Sequence, residues 1–166
     1  MTFVIRWPFF VLACALAPLA VAAGTPDEKK DQQAELKLSA DEEELIELTN
    51  TERKNADKNL KPLKANPQLM EAARKHAANM AGQDKLDHKI DDREPPDRTK
   101  AAGYKSKFVG ENIAWNQKTP KQVMEEWMKS ETHRENVLLK EYTEIGVAMA
   151  RNKKGQPYWV QVFGRP

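Results

Sequence analysis

The sequence predicts an α+β domain in which a small antiparallel sheet is covered by helices. Three observations carry this. Two capped stretches of helical period fill the first half, a short apolar segment at Phe108 to Trp115 follows a long polar connection, and two alternating segments near the end are joined by a polar turn. The order helix, helix, loop, short strand, helix, hairpin places helices against a sheet rather than alternating them with parallel strands.

Order is expected from Ser39. Ser39 with Glu42 three residues on is a capping box, and Leu45, Ile46, Leu48 and Thr49 follow at helical spacing, which predicts a helix from Ala40 to about Ala56. Asn59 to Leu63 is a turn with two apolar anchors. Asn66-Pro67 then supplies an N-cap and a proline at the first helical position. The second helix carries a buried stripe of Leu69, Ala73, His76, Ala77 and Met80 to about Ala81, with Gly82 available to end it. His76 on that stripe reads as a core histidine hydrogen-bonded to a backbone group.

Residues 83–108 read as loop, because Asp91-Asp92-Arg93-Glu94-Pro95-Pro96 continues neither a helix nor a central strand. A connection this long in a compact domain is a binding or mobile loop, and Leu86-Asp87-His88 opens it. In Phe108 to Trp115, Gly110 signals close backbone approach and Glu111, between apolar neighbours, a carboxylate drawn inward that needs donors or a cation. Thr119-Pro120 with Gln122 starts a third helix that turns Val123, Met124, Trp127 and Met128 inward. Ser130 can cap a short helix holding His133, Asn136, Val137 and Leu138. Ile145, Val147 and Met149 then alternate along a strand, Asn152 to Gln156 turns, and Tyr158 to Phe163 returns.

At 166 residues, the chain is one domain with a leader or tail. Arg6, the apolar run Trp7 to Leu19 and the small residues Ala20 to Ala23 make residues 1–23 a secretory leader cleaved after Ala22 or Ala23. Residues 24–40 form a charged, flexible linker, and residues 41–166 are the domain. The only cysteine, Cys14, lies within the apolar run, which continues past it where a lipidated cysteine would close it. The mature chain then has no disulfide and no cysteine nucleophile. Without Arg6 it carries 26 basic and 25 acidic residues of interspersed sign, which argues against a nucleic-acid partner. No membrane span is expected in the mature chain, which is read as a monomer that is secreted, periplasmic or held in the cell envelope.

The domain resembles the CAP superfamily (cysteine-rich secretory proteins, antigen 5, pathogenesis-related 1) in its bacterial, disulfide-free, SCP-like form. The resemblance rests on Leu45 to Arg53, Pro62-Leu63 with Asn66-Pro67, Ala72 to Ala77, Leu86-Asp87-His88, Gly110 to Ala114, Trp127 with Ser130, His133-Arg134 and Asn136, Tyr142 to Val147, and Tyr158 to Phe163. It implies a three-layer α-β-α sandwich with a cleft of two histidines and two glutamates. By motif, His88 and His133 match the histidines and Glu111 the glutamate of the Gly-Glu-Asn motif. The second glutamate position holds Ser130; Glu131 is adjacent but about 100° further round a helix.

Three chemistries stay open for these residues. His88, His133 and Glu111 supply nitrogen and oxygen ligands for an open zinc site, although they lie more than twenty residues apart and lack the compact spacing of a metalloprotease helix. Without metal, Glu111 and His133 can transfer protons near neutrality. As a third option, His88, Glu111, His133 and Ser130 are the polar floor of a cleft walled by Trp115, Tyr104 and Tyr142. The resemblance favours this binding role, for a small-molecule, lipid-like or cell-envelope ligand, over a hydrolase acting on peptides or cell-wall material.

Overall fold

The computed structural model describes residues 36–166, so the leader, Cys14 and most of the linker lie outside the described residues. Leu36 and Leu38 pack partly buried against the core and the Lys37 carbonyl accepts from Arg74 at 2.9 Å. Packing therefore begins ahead of Ser39, the expected start. Among the described residues, no helix is long and apolar enough to cross a membrane.

Helix α1 spans Ala40–Ala56, its capping box closed by Ser39 N–H to Glu42 Oε2 at 2.8 Å and Glu42 N–H to Ser39 Oγ at 3.3 Å. Strand β1 is the two-residue Lys64–Ala65. Helix α2, Pro67–Gln83, starts under Asn66, whose Oδ1 accepts from the amides of Gln68 and Leu69 at 3.0 and 3.1 Å. It does not end at Gly82. The left-handed residue is Asp84, at φ 56°, which an aspartate tolerates better than most side chains and whose carboxylate is held by Lys154, Asn152 and Tyr158.

Helix α3, Pro95–Ala101, lies inside the stretch expected to be loop. Both prolines occupy the first turn, where a missing amide costs nothing, and Glu94 N–H donates to Asp97 Oδ2 at 3.0 Å. Strand β2 is Val109–Trp115, α4 is Pro120–Lys129, α5 is Glu131–Leu138, β3 is Glu144–Arg151 and β4 is Pro157–Gly164.

The sheet order is β1-β3-β4-β2. It is mixed rather than wholly antiparallel, because β1 runs parallel to β3, tied by Lys64 N–H to Thr143 O at 3.0 Å and Asn66 N–H to Ile145 O at 2.9 Å. Strand alternation divides the core in two. Ile145, Val147, Trp159 and Phe163 pack with Leu45 of α1, Val123, Met124 and Trp127 of α4, and Val137 of α5. Ala148, Val160, Val162 and Ile113 face the other way, toward Leu69, Ala73, Ala77 and Met80 of α2. Helices cover both faces, giving the α-β-α sandwich, and all eight residues of β4 are buried. Gly146 lets α2 lie close on β3, since a Cβ there would overlap the backbone of Leu69.

Arg53 fixes the seam between α1 and α5. It is fully buried and donates to the carbonyls of Lys61, Val137, Leu139 and Tyr142 at 3.2, 2.7, 2.9 and 3.5 Å. The guanidinium thereby satisfies two carbonyls at the C-terminal end of α5, Val137 in its last turn and Leu139 at its cap.

Candidate functional site

Strand β2 lies at one edge of the sheet, and two consecutive residues send their side chains to opposite faces. Asn112 belongs to the α1, α4 and α5 side. Its Nδ2 donates to His133 O at 3.1 Å and to Gln161 Oε1 at 3.2 Å, while its Oδ1 accepts from Asn136 Nδ2 at 2.9 Å. Gln161 continues to Thr49 Oγ1 at 2.7 Å, and that hydroxyl donates to Leu45 O at 2.6 Å. This buried chain stitches α5 to the strand edge and so sets where His133 stands. Gly110 makes the close approach its position suggested: a Cβ there would overlap the Tyr142 hydroxyl and press on Asn136.

Glu111 points to the opposite side, and its side chain is 1% exposed. Donors or a cation were expected, and Arg98 of α3 supplies both: its Nη2 donates to Oε1 at 2.8 Å and Oε2 at 2.6 Å. Arg98 Nη1 also holds the carbonyls of His88 and Arg93, at 2.8 and 2.6 Å. His88 then places Nδ1 2.9 Å from Glu111 Oε1. Because a carboxylate accepts, Nδ1 carries the proton and Nε2 is the free ring nitrogen.

The buried histidine of α2 belongs to this cluster too. His76 Nε2 lies 3.6 Å from Glu111 Oε1, and neither ring nitrogen has a hydrogen-bond partner, contrary to the backbone bond expected for it. Burial pushes its pKa down to about 4; the Glu111 charge opposes this and Arg98 and His88 reinforce it. The Asp87 backbone also opposes the shift, while lying outside hydrogen-bond geometry. His133 is half-buried on α5, and burial first, then the neighbouring His88, lowers its pKa.

The structure thus joins His88 to Glu111 and sets His133 near enough to feel His88. Ser130 occupies the junction of α4 and α5 at the N-cap position, but its side chain makes no cap bond and meets only Thr132 Oγ1 at 3.5 Å. Two expected walls are core residues. Tyr104 donates to Glu144 Oε2 at 2.7 Å, and Tyr142 stacks on Phe163 with centroids 5.3 Å apart, whereas Trp115 is 41% exposed.

Zinc requires Glu111 as its third protein ligand, and the geometry does not fit. Both oxygens already receive Arg98, and a dication beside that guanidinium would be repelled. Among the described residues no group of three His, Cys, Asp or Glu side chains is arranged to hold a metal. The sequence called for donors or a cation at Glu111 but did not point to Arg98. The available sign was its place two residues after Pro96, inside a helix start read as a break.

The sequence model of the cysteine-rich secretory protein (CAP) family matches residues 46–163. An uncharacterized protein of Bacillus subtilis, YkwD, is 39% identical over 127 residues, covering 76% of this chain. The chain spans 48% of that relative's length. Among solved structures, an outer surface protein of Borrelia burgdorferi superposes with TM-score 0.71 at 19% identity, covering 78% of this chain and 96% of that one. An extracellular SCP-domain protein of Bacillus anthracis gives TM-score 0.67 at 25% identity over 76% of this chain and 40% of that one.

Proposed function

This chain belongs to the cysteine-rich secretory protein (CAP) family, and from that premise we propose that it is an exported binding module rather than a hydrolase. Export is supported by the leader-like residues 1–23 and by relatives that are an outer surface protein and an extracellular protein. The ligand, a small polar or lipid-like molecule of the cell envelope, is held at the cleft by the free Nε2 of His88 and the imidazole of His133. Glu111 with Arg98 is the fixed floor beneath them.

One observation carries the reading: Arg98 occupies both oxygens of a carboxylate that is 1% exposed. A general base needs a lone pair within reach of a substrate proton, and Glu111, 1% exposed, already accepts from Arg98 at both oxygens and from His88 at one. A neutral His133 is suited to hydrogen-bonding a ligand.

The test uses the full chain recovered from an exporting host. Mass spectrometry of an envelope extract passed over the immobilised protein is expected to find a retained species that His88→Ala with His133→Ala releases. Turnover of peptides or cell-wall fragments by the wild-type protein, abolished by His133→Ala, overturns the reading.

A further inference from the structure

Four residues along β2 from Glu111, on the same face of the strand, Trp115 is exposed at the sheet's end. With Leu86, 46% exposed, it borders a cavity of about 430 Å³ completed by Asp84, Lys154, Gln156 and Tyr158. We propose that this cavity is a saccharide-binding subsite, with Trp115 as the platform on which one sugar ring stacks.

The chemistry of the lining selects that ligand class. An exposed indole beside an exposed leucine offers a flat apolar surface bordering a cavity. Around it stand a carboxylate, an ammonium and a carboxamide, so donors and acceptors surround the platform. Asp84 and Lys154 neutralise one another at 2.8 Å, and the cavity therefore offers no net charge to a phosphate or a polyanion. A pyranose has the matching form, with an apolar C–H face for the indole and a rim of hydroxyls for the polar groups. A lipid chain would offer no acceptor to Gln156 Nε2 or to the remaining Lys154 donors.

The subsite is also built in advance. Tyr158 pairs with Trp115 across β2 and β4, with ring centroids 6.4 Å apart, and donates to Asp84 Oδ1 at 3.0 Å. Asn152 donates to Gln156 Oε1 at 2.8 Å and accepts from Gln156 N–H at 2.8 Å, which leaves the Gln156 amide nitrogen for a ligand. Groups held this way lose little entropy on binding. The loop from Asp84 to His88 touches Tyr158 at one end and Glu111 at the other. The four-residue step along β2 separates the two places by about 13 Å, a length that a short oligosaccharide spans. The subsite stands whether or not the His88 cleft binds anything.

Titration of the full chain with N-acetylglucosamine tetramer and cellotetraose, followed by tryptophan fluorescence and calorimetry, tests the proposal. Saturable binding of at least one is expected. Trp115→Ala should weaken it about tenfold or more, the scale of losing an aromatic stacking platform, and Gln156→Ala should weaken it too, with His88→Ala leaving ring stacking intact. Both Trp115 and Gln156 lie away from the core, and an unchanged thermal midpoint in each variant separates lost binding from lost fold. The proposal is overturned if neither sugar binds, if Trp115→Ala binds as wild type does, or if an unrelated peptide or a phospholipid vesicle displaces the sugar.

Discussion

Arg98 donates from Nη2 to both carboxylate oxygens of Glu111, at 2.8 and 2.6 Å, where the two side chains are 9% and 1% exposed. The pair anchors α3 to β2 through groups thirteen residues apart. His88 is bound twice to it, by its carbonyl to Arg98 and by its ring to Glu111. The loop that bears His88 is thus positioned by α3.

The seam at Arg53 gives a stability prediction. Arg53→Met keeps much of the apolar stem but removes a donor from four carbonyls, of which the bonds to Val137 and Tyr142 are buried, and a buried acceptor left unsatisfied costs about 1–3 kcal/mol. Urea unfolding should show a loss of about 3 kcal/mol, and Arg53→Lys should recover only part of it because an ammonium cannot reach all four.

Gly146→Ala probes the contact of α2 with β3. The added methyl meets the backbone of Leu69, which cannot rotate away as a side chain would. A loss of about 3 kcal/mol, the upper end for overpacking, is expected in the same experiment, while Gly82→Ala, with open space around its Cβ, should be neutral or stabilising.

Acid should destabilise the fold through His76. Its pKa falls from 6.5 to about 4 on folding, so between those values the unfolded chain binds more protons and stability decreases as pH falls. Below about pH 4 the contribution is constant at its full penalty, on the order of 3 kcal/mol; above pH 6.5 it is absent. His133, also lowered, acts with the same sign. Stability measured from pH 7.5 to 4 should fall less steeply for His76→Leu than for wild type; equal slopes would show that His76 is not the buried neutral group.

What the sequence made legible and what it hid follow from range. The caps at Ser39, Asn66 and Thr119 are local chemistry, and the helices begin where those residues place them. Gly110 and Glu111 announced a close approach and a buried charge, both properties of single positions. Arg98 was hidden because its pairing with Glu111 is tertiary. Helix α3 was hidden because two prolines that break a helix interior are favourable in a first turn. Strand β1, two residues long, has no period to read. His76 was placed correctly in the core, but its approach to Glu111 depends on how α2 crosses the sheet.

The proposed binding role rests on the commitment of Glu111 to Arg98, and a double-mutant cycle measures that commitment. Unfolding free energies of wild type, Arg98→Met, Glu111→Gln and the double variant should show each single change costing about 3 kcal/mol or more by leaving its buried partner uncompensated. The double variant should lose less than the two singles together, with a coupling of about 2 kcal/mol. Additivity within about 0.5 kcal/mol would mean that Glu111 is not held by Arg98, and would return it to candidacy as a base or metal ligand.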